Sequence, residues 1–205
     1  MPVVTKIKSQ KNKARVNVYL DGSFGFGLDR ECLFEFDIKT GDKLTKRDID
    51  KIIEKSKFNK TYENILKFAS LRPRSRMEFS VWFKKHKIDE VLHNKLLKKL
   101  KRLDLVGDKK FAVWWINQRL QFKYKSEKEL ILELKTKGIE KNIIDDVISD
   151  ANINEIQTAE KLIQKKKYLW EKYDDFEARK KASNYLMRKG FGWDVIREVV
   201  NKFYI

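Results

Sequence analysis

The chain has 205 residues, 41% of them hydrophobic, and carries 47 lysines and arginines against 30 aspartates and glutamates, a formal charge of +17. A single cysteine, Cys32, excludes an internal disulfide framework, the N-terminus lacks the apolar stretch of a signal peptide, and no apolar run approaches the roughly 20 residues that span a bilayer. Two prolines, eight glycines and a 38% charged fraction suit long solvated helices, so the expectation is a soluble, cytoplasmic, mainly α protein with a polyanionic or acidic partner and no membrane.

Residues 1–58 begin at a period of two. Val16, Val18 and Leu20 alternate with Asn17 and Tyr19, and Phe24, Phe26 and Leu28 alternate with Ser23, Gly25 and Gly27 across Asp21-Gly22, which predicts a β-hairpin with a tight turn. Val3 to Lys8 supplies a third strand across the basic loop Gln10 to Lys13, and a helix starts from Thr45, with Ile49, Ile52 and Ile53 on one face. Gly22, Gly25 and Gly27 do not make a phosphate loop, because the strand-to-helix context and the lysine of such loops are missing.

From residue 59 on, the pattern repeats at about 51 residues. Ser75 and Glu78 correspond to Ser126 and Glu129, Phe79 and Phe83 to Leu130 and Leu134, and Ile88 to Ile139. A third copy carries Lys189, Gly190 and Phe191 where the second has Lys137, Gly138 and Ile139. Each serine with its glutamate has capping-box form and predicts a helix start; Gly138 and Gly190 suit a left-handed stop before a second helix. Lys87 holds that place in the first copy, so a different turn is expected there. A further helix precedes each capping position, giving three per copy: 59–107, 108–153 and 154–205, with a longer stretch from Lys167 to Phe176 in the third.

Charge breaks the symmetry: the first copy is +8 and the second +1, with +4 in each flank. Arg72, Arg74 and Arg76, at alternate positions before a cap, are candidate contacts to a polyanion or else a solvated basic turn. Arg119, Lys123 and Lys125 hold the equivalent place in the second copy, with Arg119 alternatively an anchor of packing or an internal ion pair, and Lys165, Lys166 and Lys167 form a run in the third. Trp114 and Trp115 cannot both face one core; Trp115 falls in the apolar stripe, leaving Trp114 to stack on a base or partner, or to be buried by the neighbouring repeat. No nucleophile and base, carboxylate pair or metal cluster is visible, since His86 and His93 sit seven apart and Asp145-Asp146 and Asp174-Asp175 are adjacent pairs on different helix faces. Neither catalysis nor a cofactor is expected.

The series Phe111-Ala112, Trp115-Ile116, Arg119, Ser126, Leu130, Glu133-Leu134 and Lys137-Gly138-Ile139 resembles the RecX family of regulatory proteins. Leu71-Arg72-Pro73-Arg74-Ser75 with Glu78 resembles that family's first-repeat motif, and Arg188-Lys189-Gly190-Phe191 with Ile196 its third; Phe79 and His86-Lys87 depart from the pattern. The resemblance covers residues 60–205 and implies three tandem three-helix repeats, an elongated curved array preceded by the small β and helix region. It also implies a non-enzymatic monomer that binds the RecA recombinase and its filament on single-stranded DNA, and modulates filament growth, ATP hydrolysis and strand exchange in recombination and repair. Direct binding to single-stranded DNA is a secondary property. The rival reading is a general nucleic-acid-binding helical protein that needs no recombinase.

Overall fold

The computed structural model describes residues 1–11 and 13–204; Asn12, in the expected basic loop, and Ile205 lie outside the described residues. The chain divides into two compact units, Met1–Leu71 with Asn94–Leu96, and Arg72–His93 with the chain from Leu97 on. Three strands and ten α-helices occur among the described residues.

In the first unit, β1 (Val4–Ser9), β2 (Arg15–Leu20) and β3 (Ser23–Asp29) form an antiparallel sheet in the order β1-β2-β3. Asp21 and Gly22, both at positive φ (49° and 84°), make the two-residue turn, whose twist matches that of the strands it joins. The register slips between Val18, opposite Phe26, and Tyr19, opposite Phe24. That bulge corrects the simple alternation expected for β3. Phe26 and Leu28 enter the core, whereas Phe24 is turned to the other face, 61% exposed, with its ring edge-on to Tyr19. Gly25 is required at the bulge, because a Cβ there would lie 2.8 Å from the Leu20 side chain.

Asp29 then caps α1 (Arg30–Glu35), a short helix that the sequence pattern did not reveal. Thr45 caps α2 (Lys46–Ser70): its hydroxyl accepts from the Asp48 N–H, and the Asp48 carboxylate accepts from the Thr45 N–H. With no glycine or proline over 25 residues, α2 runs unbroken through residues 58 and 59, so the helix begun at Thr45 and the first helix of the first copy are one. It stops where Pro73 disfavours the helical conformation at Arg72. The core of this unit joins Val4, Val16, Val18, Phe26, Leu28, Cys32, Ile38 and Ile52.

The rest of the chain is helical: α3 (Arg76–Lys85), α4 (Glu90–Arg102), α5 (Asp108–Lys123), α6 (Glu127–Thr136), α7 (Lys141–Asp150), α8 (Glu155–Lys166), α9 (Asp175–Arg188) and α10 (Trp193–Phe203). The second copy, α5–α7, closes over Phe111, Trp115, Ile116, Leu130, Leu134, Ile144 and Val147. The third, α8–α10, closes over Ile163, Trp170, Leu186, Val199 and Val200. Gly138 and Gly190 end α6 and α9 at positive φ, and Ile139 and Phe191 donate back to the carbonyls of Leu134 and Leu186. The first copy does not turn differently, as its lysine led one to expect. Lys87 adopts φ 52° and Ile88 donates to the Phe83 carbonyl in the same way, so a side-chain-bearing residue holds a left-handed position at a cost of roughly 1–2 kcal/mol.

Candidate interface on the helical repeats

The serine and glutamate that open α3 and α6 do more than cap. The Ser75 hydroxyl accepts from the Glu78 N–H (3.2 Å) and donates to the Lys137 carbonyl (2.9 Å), sixty-two residues away in the next copy. Ser126 repeats this with Glu129 (3.2 Å) and the Lys189 carbonyl (2.6 Å). Among the described residues neither glutamate reaches back to its cap amide as a capping box would require; both turn toward the next copy. Glu78 lies 3.6 Å from the Lys137 ammonium and Glu129 lies 3.7 Å from that of Lys189. A third contact recurs: the first N–H of α3 (Arg76) donates to Asp108 and that of α6 (Glu127) donates to Glu155, each 2.8 Å, each acid being the first residue of the next copy's leading helix.

The spacing Ser-x-x-Glu with Lys-Gly is therefore a joint between copies. Glycine is needed in it, because a Cβ on Gly138 would lie 2.9 Å from Met77 Cβ, and one on Gly190 would lie 3.0 Å from the Ser126 hydroxyl. The third copy has Ala178 twelve residues before its glycine, where the others have serine, and α9 starts four residues earlier, capped by Asp174. It carries no serine for a third joint.

These joints consume several of the candidate residues. Arg72 makes a two-pronged pair with Glu78 (2.9 and 2.8 Å), and its guanidinium lies 5.1 Å from the Trp114 ring, which is half-buried against the core of the second copy. Arg119 donates to Glu133 (2.7 Å) and covers the Trp115 ring at 4.1 Å, with Trp115 Nε1 on the same carboxylate (2.8 Å). Lys125 lies between Glu129 (3.2 Å) and Glu133 (3.4 Å). Arg74 is half-buried, and its pKa is lowered by burial and by the charge of Arg72, with Glu78 opposing. Burial pushes the Glu78 carboxyl up, but the hydrogen bond and charge of Arg72 with the charges of Lys137 and Arg74 hold it below the ordinary carboxylate range. Glu133 follows the same balance: burial raises it, and the bonds from Arg119 and Trp115 with the charges of Arg119 and Lys125 lower it further.

Among the remaining candidates, Arg76, Lys123, Lys165 and Lys167 are exposed and Lys166 is half-buried. Arg76 sits 3.8 Å from Asp108, and Lys165 lies over the Tyr124 ring at 5.7 Å. The largest group of free cations was not singled out from the sequence. Lys84, Lys85 and Lys87 at the end of α3, and Lys98, Lys101 and Arg102 on α4, are exposed and make no ion pair among the described residues. The +8 of the first copy was the signal that could have found them, once the arginines before Ser75 are subtracted as structural.

No cluster of three or more His, Cys, Asp or Glu that could hold a metal occurs among the described residues. His86 Nδ1 donates to the Trp82 carbonyl (2.8 Å), and His93 Nε2 donates to that of Ile88 (3.0 Å) with its ring stacked on Phe83. Burial and the neighbouring Asp29 push the Cys32 thiol up to about 12, the opposite of what a nucleophile needs. No helix is long and apolar enough to cross a membrane among the described residues.

Residues 2–45 match the family model for the regulatory protein RecX N-terminal domain, and residues 154–200 match that for the RecX third three-helix domain. The chain is 32% identical to regulatory protein RecX of Bacillus licheniformis over 202 residues, covering 96% of this chain and 75% of that one. It is 33% identical to the Bacillus velezensis protein of that name (98% and 78% covered) and 26% identical to that of Clostridioides difficile (98% and 96%). A crystal structure of regulatory protein RecX superposes with a TM-score of 0.70 at 25% identity, covering 98% of this chain and all of that one. That of RecX from Lactobacillus salivarius gives 0.58 at 26%, with 71% and 95% covered.

Proposed function

Because the chain belongs to the RecX family of regulatory proteins, we propose that it is a non-enzymatic regulator that binds the RecA recombinase and its filament on single-stranded DNA. It inhibits filament growth, ATP hydrolysis and strand exchange in recombination and DNA repair. The observation that carries this reading is the identity to named regulatory proteins over nearly the whole chain, joined to a surface whose charge is concentrated in one copy. Joints built from buried hydroxyls and paired charges give the copies a defined register, which suits a protein that meets successive protomers of a polymer at once. The free cations at the end of α3 and on α4 meet acidic protein surface or DNA phosphate, giving fast, salt-sensitive association.

The test is RecA-catalysed ATP hydrolysis on single-stranded DNA with substoichiometric amounts of this protein. Inhibition at ratios too low to coat the DNA is the expected outcome. An effect that appears only at DNA saturation would overturn the reading in favour of a general nucleic-acid-binding protein. Arg76 and Lys123 keep a role in contact, with Lys98, Lys101 and Arg102 beside them. Changing Arg72, Arg74 and Arg76 together would also cut the Arg72–Glu78 pair and mix folding with binding, so the sharper substitution is Lys98→Gln with Lys101→Gln and Arg102→Gln. That variant should keep its fold and need about tenfold more protein for the same inhibition, with a flatter salt dependence.

A further inference from the structure

A groove of about 480 Å3 opens between the C-terminal end of α5 and the start of α8. Its walls carry the carboxamides of Asn117, Gln121 and Gln157, none hydrogen-bonded through its side chain among the described residues, together with the half-buried Tyr124 and the exposed Lys161. Tyr124 ends α5 in the left-handed conformation (φ 51°), which costs a residue other than glycine roughly 1–3 kcal/mol and is retained in this wall. Asn and Gln side chains pair with the donor and acceptor edges of nucleobases.

The lining of the groove ends at Lys161, on α8. Lys161, Lys165 and Tyr168 follow one another at intervals of four and three residues, so they share a face of α8 and of the 3-10 turn (Lys167–Leu169) that prolongs it. Tyr168 is 62% exposed, and the segment that carries it is pinned by the buried Trp170, so its ring is presented on a fixed base. From Lys161 to Tyr168 is about 10 Å at the helical rise, enough for two nucleotides. An exposed ring beside lysines is what stacking on a base next to bound phosphates uses.

We propose that this strip binds single-stranded nucleic acid: one base sits in the amide groove, the adjoining phosphates lie on Lys161 and Lys165, and the next base stacks on Tyr168. It deepens the DNA-binding part of the reading above and needs no recombinase, so it is tested with DNA alone. Binding of a fluorescein-labelled oligothymidylate to the full chain is measured over a salt series. Tyr168→Ala should weaken binding at least 5-fold at unchanged salt slope, and Tyr168→Phe should restore it. Lys161→Gln with Lys165→Gln should lower the slope of log K against log salt by about 1.4, two phosphates' worth.

Unchanged affinity in Tyr168→Ala, a loss in Tyr168→Phe equal to that in Tyr168→Ala, or an unchanged slope in the lysine variant each overturns the proposal. If Tyr168→Ala binds DNA normally yet loses inhibition of RecA ATP hydrolysis, the strip docks protein instead and the proposal fails. If the DNA results are as expected while the wild-type chain leaves RecA unaffected, the recombinase reading fails and this one stands. All three side chains are exposed, so thermal unfolding of the variants should match wild type.

Discussion

The first and second helical copies are joined by the same device and differ in what their cations do. In both, a buried serine bridges its own helix start to a carbonyl of the next copy, and a glutamate meets that copy's lysine. In the second copy three basic side chains are drawn inward: Arg119, Lys125 and Lys137 are paired with Glu133, Glu129 and Glu78, and Arg119 and Lys137 also cover Trp115. In the first, Arg72 is spent in this way, and seven cations at the end of α3 and on α4 (Lys95 with the six named above) stay exposed without ion pairs among the described residues. A net charge near zero therefore marks a copy whose electrostatics serve the fold, and a large surplus marks one with charge left for a partner. Family resemblance is carried by the first kind of residue and binding by the second, which is why the strongest motif is not the strongest interface candidate.

The joint is the place to break the comparison with the largest effect. Gly138→Ala should destabilise the protein by about 2–4 kcal/mol in denaturant unfolding, from a left-handed alanine and the 2.9 Å approach to Met77. A loss under about 0.5 kcal/mol would mean that the copies are not held at this point. The charge network of the second copy should respond next. Arg119→Ala leaves Glu133 partly buried without its main partner, a loss of about 1–3 kcal/mol at neutral pH. Because the folded Glu133 carboxyl titrates below its ordinary value of 4.5, its contribution is present above that value and disappears as pH falls through the depressed one. Stability measured from pH 6 down to 3 should fall less steeply in Arg119→Ala than in wild type; parallel curves would remove Glu133 from the account.

The smallest effect is a gain that sharpens the contrast. Lys87→Gly relieves the left-handed lysine and should raise stability by about 1 kcal/mol in denaturant unfolding. A destabilised Lys87→Gly would show that the lysine's own contacts outweigh its backbone strain.

Periodicity and local chemistry already determined much of this protein. The alternation around Asp21-Gly22, the cap at Thr45, the serines at 75 and 126 and the glycines at 138 and 190 each express a short-range preference, so the hairpin, the helix starts and the helix ends were legible residue by residue. The overall charge and its asymmetry were legible too, being sums over the chain. Only the tertiary structure decided where that charge could be used. Whether Arg72 meets DNA or Glu78, whether Trp114 is free or lies under a guanidinium, and whether Glu129 reaches its own cap amide or Lys189 depend on groups brought together across the fold. A one-residue bulge at Gly25 turned Phe24 out of the core for the same reason: a close approach of Leu20 on the neighbouring strand, absent from any local pattern, selected it. Local sequence sets what each segment can be, while the pairing of charges and the packing of side chains are settled only by distant neighbours at contact distance.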